Sequence, residues 1–244
     1  MRLALECPTE LLEYIQPLAD FDWILAHKVL NDDDYASFYQ KSMRYKVLDN
    51  SVHELREPMT LDELQRAADI VNPNLIVAPD HLDNHFATID SLEKATKVFG
   101  LEKIMPVVQG HEHRYVLECF DYIKQMGFKR VAIPAYKASS NEIMTQKRKN
   151  ILDSLFSRVP AGFEFHLLGM TTLEELETCD KFWIKSIDTG VPVLCGLKGI
   201  RFDYDKLPVK GITMNQFDSS SYSYELEMVY YNIAYMRKLL NGTR

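Results

Sequence analysis

The chain has 244 residues, with 35 acidic and 28 basic side chains, a formal charge of −7 and 46% apolar residues. This composition is that of an ordinary globular protein and excludes the disordered and fibrous classes. A chain of this length can bury its core as one domain, since single barrels run to about 200–250 residues. The acidic balance disfavours attraction of nucleic acid to the whole surface, although a local basic patch could still bind it.

The apolar runs and the cysteines predict a cytoplasmic protein. No apolar run approaches the roughly 18 residues of a membrane-spanning helix, and the N-terminal residues lack the long apolar stretch of a signal peptide. The four cysteines are scattered without a C-x-x-C pair, which is atypical of disulfide frameworks and of cysteine-based zinc sites. We therefore expect reduced thiols and no membrane partner.

Short apolar runs alternate along the chain with longer segments of helical period. Eight runs are predicted to be strands, at 2–7, 23–30, 45–49, 75–79, 104–109, 130–134, 165–169 and 184–188. Helices are predicted between them at 32–42, 61–71, 90–99, 112–126, 141–156 and 172–182. The strand runs are almost continuously apolar, which is typical of parallel strands buried on both faces.

Local signals agree with this alternation of strands and helices. Thr60 and Thr171 each precede a glutamate at the capping-box spacing. No glycine-rich phosphate-binding loop follows a strand, which favours a barrel over an open doubly wound sheet. The pattern predicts an α/β fold, a compact (β/α)8 TIM barrel formed by residues 1–244 as one domain. An irregular segment at 190–221 and a Tyr-rich helix at 222–240 are expected after the last strand, the helix packing on the exterior or, alternatively, forming a homodimer face.

The residues that follow the predicted strands are unusually polar. They are Asp49-Asn50-Ser51, Asp80-His81, Gln109-Gly110-His111, Ala135-Tyr136-Lys137 and Asp188-Thr189. In a TIM barrel the carboxyl ends of the strands form the active site, so the three aspartates are expected to converge on one mouth. Buried carboxylates are costly unless they are hydrogen-bonded or paired. Helix N-capping is the alternative role for Asp49 and Asp80.

The same segments, in this order, resemble those of the guanine transglycosylases, barrel enzymes that exchange a guanine in a polynucleotide for a 7-deazaguanine. The superfamily includes the queuine and archaeosine tRNA-ribosyltransferases. The resemblance covers about residues 20–190, with one motif per strand. Its motifs are Asp49-Asn50-Ser51, Asp80 after IVAP, VVQG at 107–110, VAIPAY at 131–136, HLLGM at 166–170 and SID at 186–188.

The resemblance implies that Asp188 is the nucleophile and that Asp49 is the second carboxylate, which handles the proton. Chemistry supports these roles independently. Base exchange that keeps the glycosidic stereochemistry needs two displacements, so a carboxylate must attack C1′ and hold the sugar covalently. A second carboxyl group must then protonate the leaving base and deprotonate the incoming one. The resemblance implies no cofactor and no metal.

Further positions are implied to bind the base. A carboxylate accepts from purine N–H groups and an amide can donate to O6 or N7, which suits the pair formed by Asp80 and Gln109. A glycine after Gln109 is expected to allow a ligand to approach the backbone closely. The implied substrate-binding residues are Asp80, Gln109, Gly110, Ala135, Tyr136, Leu168 and Gly169.

Three departures from the tRNA enzymes bear on the substrate. The chain is shorter, it lacks a cysteine-rich zinc motif after the eighth strand, and Pro134-Ala135 replaces a Gly-Gly pair. It thus resembles the short, zinc-free phage-type branch that acts on DNA. This branch implies DNA and a free 7-deazaguanine base, such as a preQ0-like base, as partners. It also implies protection of phage DNA from restriction in the host cytoplasm, with tRNA as the alternative substrate.

Two groups of basic residues are candidates for phosphate contacts. The first follows the sixth strand, and the second lies after the eighth strand beside aromatic residues. A solvated helix face is the alternative for the first group. The candidates are Lys137, Lys147, Arg148 and Lys149 in the first group, and Lys198 and Arg201 in the second.

Two further classes of function remain open. The pair His111 and His113, together with Asp188, resembles the ligands of metal-dependent barrel hydrolases, but the pair follows the fifth strand where those enzymes have it after the first. His113 is expected to lie within the next helix and to face solvent. A barrel that binds a 7-deazapurine or nucleic acid without turnover would use Asp80 and Gln109 in the same way.

Overall fold

The computed structural model describes residues 1–136, 141–170, 172–178, 182–202 and 226–242. Eight strands alternate with helices, as the sequence predicts. The strands are β1 Arg2–Leu5, β2 Asp22–Leu25, β3 Lys46–Asp49, β4 Leu75–Val77, β5 Ile104–Met105, β6 Arg130–Ile133, β7 Glu164–Leu167 and β8 Ile184–Thr189.

Eleven α-helices lie between and after the strands within the described residues. They are α1 Leu12–Ile15, α2 Ala26–Asn31, α3 Asp33–Lys41, α4 Val52–Leu55, α5 Leu61–Val71, α6 His85–Phe99, α7 His113–Gln125, α8 Asn141–Phe156, α9 Leu173–Thr178, α10 Val191–Leu197 and α11 Leu226–Leu240. Short 3-10 turns lie at Thr9–Leu11, Gln16–Leu18 and Leu101–Lys103. None of the helices in the described ranges has the length and apolar character needed to cross a membrane.

All strand pairs are parallel and form two four-stranded sheets, with the orders β1-β8-β7-β6 and β2-β3-β4-β5. The sheets approach each other at β5 and β6, where Val107 and Ala132 form a parallel bridge and Val108 N donates to Ala132 O at 3.0 Å. They also approach between β1 and the residues before β2, where Asp20 N donates to Leu3 O at 2.7 Å. The α/β class and the parallel pairing are therefore as predicted.

Both faces of the strands are buried, and this explains their nearly continuous apolar sequences. Alternate residues from strands of both sheets meet in one inner cluster, while the intervening residues pack against the helices. The inner cluster consists of Ala4, Phe21, Trp23, Leu25, Val47, Leu75, Val77, Met105, Val107 and Ala132.

Several predicted boundaries are wrong for identifiable reasons. The strand predicted at 23–30 ends at Leu25, because Ala26 and Val29 are buried at helical spacing in α2. Helix α6 begins earlier than predicted, at His85, because the side chain of Asn84 caps it by accepting from Ala87 N at 3.1 Å.

The segment predicted to be irregular at 190–221 contains α10, whose seven residues are all buried. Pro192 fits the first turn of this helix, where its missing N–H removes no hydrogen bond. Positions 203–221 lie outside the described residues, as do the first four positions of the predicted helix at 222–240, of which α11 forms the rest. The capping box of Thr60 and Glu63 is confirmed, whereas Thr171 lies outside the described residues.

Replacement of Gly196 by Ala tests how closely α10 packs on α11. A Cβ atom at Gly196 would lie 2.5 Å from Val229 Cα, so the two helices must separate. Overpacking of this kind costs roughly 1–3 kcal/mol in unfolding free energy, measurable by urea denaturation. The exposed Lys97→Ala change in α6 should leave stability within about 0.5 kcal/mol, and equal stability of the two variants would contradict this packing.

Candidate active site

A cavity of about 150 Å³ lies at the carboxyl ends of the strands. Every strand, or the residues directly after it, contributes to the lining, since parallel strands present their carboxyl ends at the same edge. The lining includes Glu6, Trp23, Asp49, Asn50, Glu54, Asp80, Gln109, Pro134, Ala135, Leu168, Gly169 and Asp188. All three aspartates predicted to converge therefore face one cavity.

Asp188 is held by two donors at the end of β8. The backbone N–H of Gly169 donates to both carboxylate oxygens, at 3.1 and 3.0 Å, and His166 Nε2 lies 2.9 Å from Oδ1. Gly169 has a φ of +57°, a conformation that glycine adopts without strain and that directs its N–H to the carboxylate. Asp188 is thus fixed in position while its side chain still faces the cavity.

His166 is a functional candidate that sequence reasoning missed. Its Nδ1 lies 2.8 Å from Ser186 Oγ, and its ring stacks on Trp23 with centroids 4.7 Å apart. Because the Asp188 carboxylate only accepts, Nε2 carries a proton and Ser186 is free to donate to Nδ1. The alternation of β7, which turns His166 inward beside Ser186, is the signal that could have identified it.

Asp49 lies at the end of β3 and accepts a hydrogen bond from Ser51 N at 2.9 Å. Ser51 has a left-handed backbone conformation, with a φ of +59°, which turns its N–H back toward the carboxylate. Burial raises the pKa of Asp49 well above its ordinary value, and the negative charges of Glu54 and Asp188 raise it further. Asp49 therefore retains its proton in conditions in which an exposed aspartate would be ionised.

Asp80 is fixed by two side-chain amides. Asn50 Nδ2 donates to Oδ1 at 2.7 Å, and Gln109 Nε2 donates to Oδ2 at 2.6 Å. Gln109 Oε1 in turn accepts from Asp83 N at 3.3 Å. Burial raises the pKa of Asp80, although these hydrogen bonds oppose the shift. Asp80 and Gln109 thus form the predicted pair, with Asn50 as an additional support.

Glu6 and Glu54 also line the cavity, although the sequence pattern assigned neither of them a role. Each has an Oε2 atom that is buried without a hydrogen-bond partner. Burial raises the pKa of both side chains, and the charge of Asp188 raises it further. Glu6 is the last polar residue of the first apolar run, and the strand predicted there at 2–7 ends at Leu5.

The remaining predicted base-binding positions fall into two groups. Ala135, Leu168 and Gly169 line the cavity, whereas Gly110 and Tyr136 are absent from its lining. A Cβ atom at Gly110 would lie 2.6 Å from Val116 N, so the glycine permits close packing of α7. The hydroxyl of buried Tyr136 donates to Val108 O at 2.9 Å and thereby contributes to the fold.

One member of the first basic group, Arg148, lies inside the protein and not on a phosphate-binding surface. Arg148 is only 1% exposed, with its Nε atom 3.2 Å from Glu175 Oε1 and Nη2 donating to Gly169 O, because α8 turns this side chain toward α9. Its predicted contact with nucleic acid is therefore wrong. Lys149 pairs with Asp153 at 2.6 Å, as on a solvated helix face.

The other basic candidates occupy varied environments. Lys137 lies outside the described residues. Lys147 is 5.6 Å from the centroid of the Tyr136 ring, and Lys198 is exposed at the end of α10. The guanidinium of Arg201 lies 3.9 Å from the centroid of the Tyr231 ring. Contacts between these residues and phosphate stay predictions.

The histidines considered as metal ligands lie apart from the cavity lining. His111 is exposed and lies 3.6 Å from Glu112, while His113 is the exposed first residue of α7, as predicted. Among the residues that the structure describes, no group of three or more His, Cys, Asp or Glu side chains is arranged to hold a metal ion. Cys7, Cys119 and Cys195 are free and buried, and Cys179 lies outside the described residues.

Comparison of the chain with protein-family models and with curated proteins finds no match. The chemistry of the cavity is what indicates a function. A carboxylate held by fixed donors can act as a nucleophile, and a nearby carboxyl group that retains its proton can act as an acid. The pair formed by Asp80 and Gln109 offers an acceptor and a donor to a flat polar ligand.

Substitutions at two adjacent positions in α8 compare the structural contribution of buried Arg148 with that of its neighbour Lys149. Arg148→Ala removes the buried guanidinium beside Glu175, so we expect a loss of about 3–5 kcal/mol in unfolding free energy. Lys149→Ala should cost at most about 0.5 kcal/mol. Urea denaturation measures both values. Unchanged stability of Arg148→Ala together with weaker DNA binding would restore a nucleic-acid role for Arg148.

Proposed function

We propose that this protein is a DNA guanine transglycosylase that exchanges guanine in DNA for a 7-deazaguanine derivative, such as a preQ0-like base. The main support for the proposal is that Asp188, Asp49 and the Asp80–Gln109 pair all line one small cavity. These four residues are the ones to which the sequence resemblance gives catalytic and base-binding roles. The geometry of their side chains is an argument independent of that resemblance.

We further propose that the two sheets close into one (β/α)8 barrel without a zinc-binding subdomain. The parallel bridge between Val107 and Ala132 and the hydrogen bond from Asp20 to Leu3 support closure at the two junctions. Residues from both sheets also share the inner cluster. A closed barrel explains why one cavity receives residues from the ends of all eight strands.

The dimensions and polarity of the cavity suit a purine base. An apolar cavity of about 150 Å³ holds a small aromatic ring, so this volume favours one flat ring system over a larger ligand. Asp80 can accept from purine N–H groups, since its oxygens have lone pairs beyond those used by Asn50 and Gln109. The second N–H of the Gln109 amide can donate to O6 or N7.

The exchange reaction then proceeds by two displacements. The Asp188 carboxylate attacks C1′ as the bond from C1′ to the guanine nitrogen breaks, and the proton of Asp49 passes to the departing guanine. The products are a sugar ester of Asp188, neutral guanine and an ionised Asp49. The incoming base loses a proton to Asp49 and attacks C1′, which releases the Asp188 carboxylate and restores the starting charges.

The electrostatic coupling of the carboxyl groups assists this proton transfer. The negative charge of Asp188 is one of the causes that raise the pKa of Asp49. That charge disappears when the ester forms, so the pKa of Asp49 falls at the moment at which its proton is needed. One negative charge is present in the pair before and after the displacement, so the displacement adds no charge to the buried site.

DNA is favoured over tRNA by the absence of a cysteine-rich zinc motif from the sequence. The target nucleotide must leave the base stack to enter a cavity at the strand ends, so it is flipped or already single-stranded. A 7-deazaguanine changes the major-groove face that nucleases read. Protection of phage DNA from restriction in the host cytoplasm is the purpose consistent with this chemistry.

The direct test is incorporation of radiolabelled guanine, or of a labelled 7-deazaguanine, into duplex DNA and tRNA measured in parallel. We expect label in DNA alone and a loss of at least roughly 10³-fold in Asp188→Asn, since removal of a covalent nucleophile has effects of this size or larger. Label in tRNA would show that the proposed choice of DNA as the substrate is wrong. No label in either, with a divalent metal bound to the purified protein, would favour a hydrolase.

Substitution of the proton donor should have a smaller effect. Asp49→Asn should reduce exchange by about 10²–10⁴-fold, because guanine then departs without its proton. In the wild type, exchange should decline as the pH rises past the pKa of Asp49, which lies above the ordinary aspartate value of about 3.9. Wild-type exchange in Asp49→Asn would remove Asp49 from the mechanism.

A further inference from the structure

The pairing of β1 with β8 brings Glu6 to the nucleophile. Ala4 is the register partner of Asp188, and Glu6 N donates to Thr189 O at 3.1 Å. Side chains two residues apart on a strand point to the same side, so Glu6 follows Ala4 toward the cavity. Glu6 lines that cavity and is only 8% exposed. Asp188 lines the same cavity, and it is near enough to Glu6 to raise the pKa of the Glu6 carboxyl group.

The hydrogen bonds around the pair indicate where its proton lies. Asp188 accepts from His166 and Gly169, as an ionised carboxylate does. Two ionised carboxylates only accept, so they repel each other and cannot form a hydrogen bond. Glu6 Oε2 is buried without a donor from the rest of the protein. A proton on Glu6 would remove the repulsion between the two carboxyl groups and would supply an O–H donor.

We propose that Glu6 is a positioning residue that remains neutral and donates its carboxyl O–H to Asp188, which holds the nucleophilic carboxylate toward the sugar. The catalytic consequence of this inference depends on the proposed transglycosylase function. The protonation of Glu6 beside Asp188 does not depend on that function. Glu6 does not take part in bond making, and its proton stays with it through both displacements.

The charges around Glu6 favour its neutral form. Burial raises its pKa well above the ordinary glutamate value, and the charge of Asp188 on β8 raises it further, as Glu54 on α4 and Asp49 on β3 do whenever they are ionised. Tyr35 on α3 and the adjacent Cys7 also face Glu6, and burial raises the pKa of both, so they stay neutral and offer it no charge. Lys28 on α2 acts on Glu54 and Cys7.

The positioning role requires a hydrogen-bond donor at position 6. Two substitutions test the effect of this donor separately from the effect of side-chain size. Glu6→Gln keeps an N–H donor of similar size, and Glu6→Leu keeps the volume without a donor. We expect Glu6→Gln to retain kcat for base exchange within about tenfold and Glu6→Leu to lose about 10²-fold in kcat. The KM for the free base should change little in either variant, because Asp80 and Gln109 bind the base. Wild-type kcat in Glu6→Leu, or equal losses in two folded variants, would overturn the positioning role.

A measurement of stability tests the proton without any assay of exchange. A glutamate whose pKa is higher in the folded state stabilises the fold at low pH, and this contribution declines as the pH rises from the ordinary value of about 4.3 to the folded-state pKa. Wild type should therefore lose stability relative to Glu6→Gln across this window. The ratio of their folding equilibrium constants should change by up to about tenfold per pH unit.

Glu10→Gln provides the matched control, since it makes the same chemical change at an exposed glutamate near β1. Its stability should show no comparable dependence on pH relative to wild type. If the ratio of folding equilibrium constants between wild type and Glu6→Gln does not change with pH, Glu6 is not protonated as proposed. If the pH dependence appears but no base is exchanged into DNA or tRNA, the protonation of Glu6 is supported and the proposed function is wrong.

Discussion

Five carboxyl groups line one cavity of about 150 Å³, and the cost of burying their charges determines how the surrounding residues are arranged. Asp188 receives hydrogen bonds from Gly169 and His166, and Asp80 receives them from Asn50 and Gln109. Asp49 and the two glutamates have fewer donors, and their raised pKa values favour the neutral form. The cavity thus contains carboxyl groups that fixed donors hold in place and carboxyl groups whose raised pKa values favour the proton, and burial raises the pKa of Asp80 as well.

This division is a consequence of the parallel strands. Parallel pairing brings the residues after each strand to the same edge, and the register between β1 and β8 places Ala4 opposite Asp188 and leaves Glu6 above it. The inner cluster contains apolar side chains from both sheets, and Trp23 and Leu25 of this cluster also line the cavity. The same packing that builds the fold therefore raises the cost of charge in the cavity. In the proposed mechanism, that cost keeps the proton on Asp49 until guanine leaves.

The sequence predicted the strands, most of the helices and the aspartates at the cavity, because these depend on apolar periodicity and on the polar residues directly after each strand. Glu6 and His166 were missed, since each lies inside or next to an apolar run, where periodicity alone does not distinguish a functional polar side chain from a partnered core residue. Arg148 was misassigned because a run of basic residues does not indicate which face of α8 packs against α9. The α10 helix was missed because glycine and proline normally end helices, although Pro192 is compatible with a first turn.

In the proposed mechanism, Asp188 becomes covalently attached to DNA. The most direct measurement is mass spectrometry of peptides from enzyme that has been trapped with a guanine-containing oligodeoxynucleotide in the absence of an incoming base. The proposed mechanism predicts a deoxyribose-linked mass on the peptide that contains Asp188, and no such mass in Asp188→Asn, whose amide cannot form the ester. An adduct on a different residue, or base exchange without any covalent adduct, would contradict it.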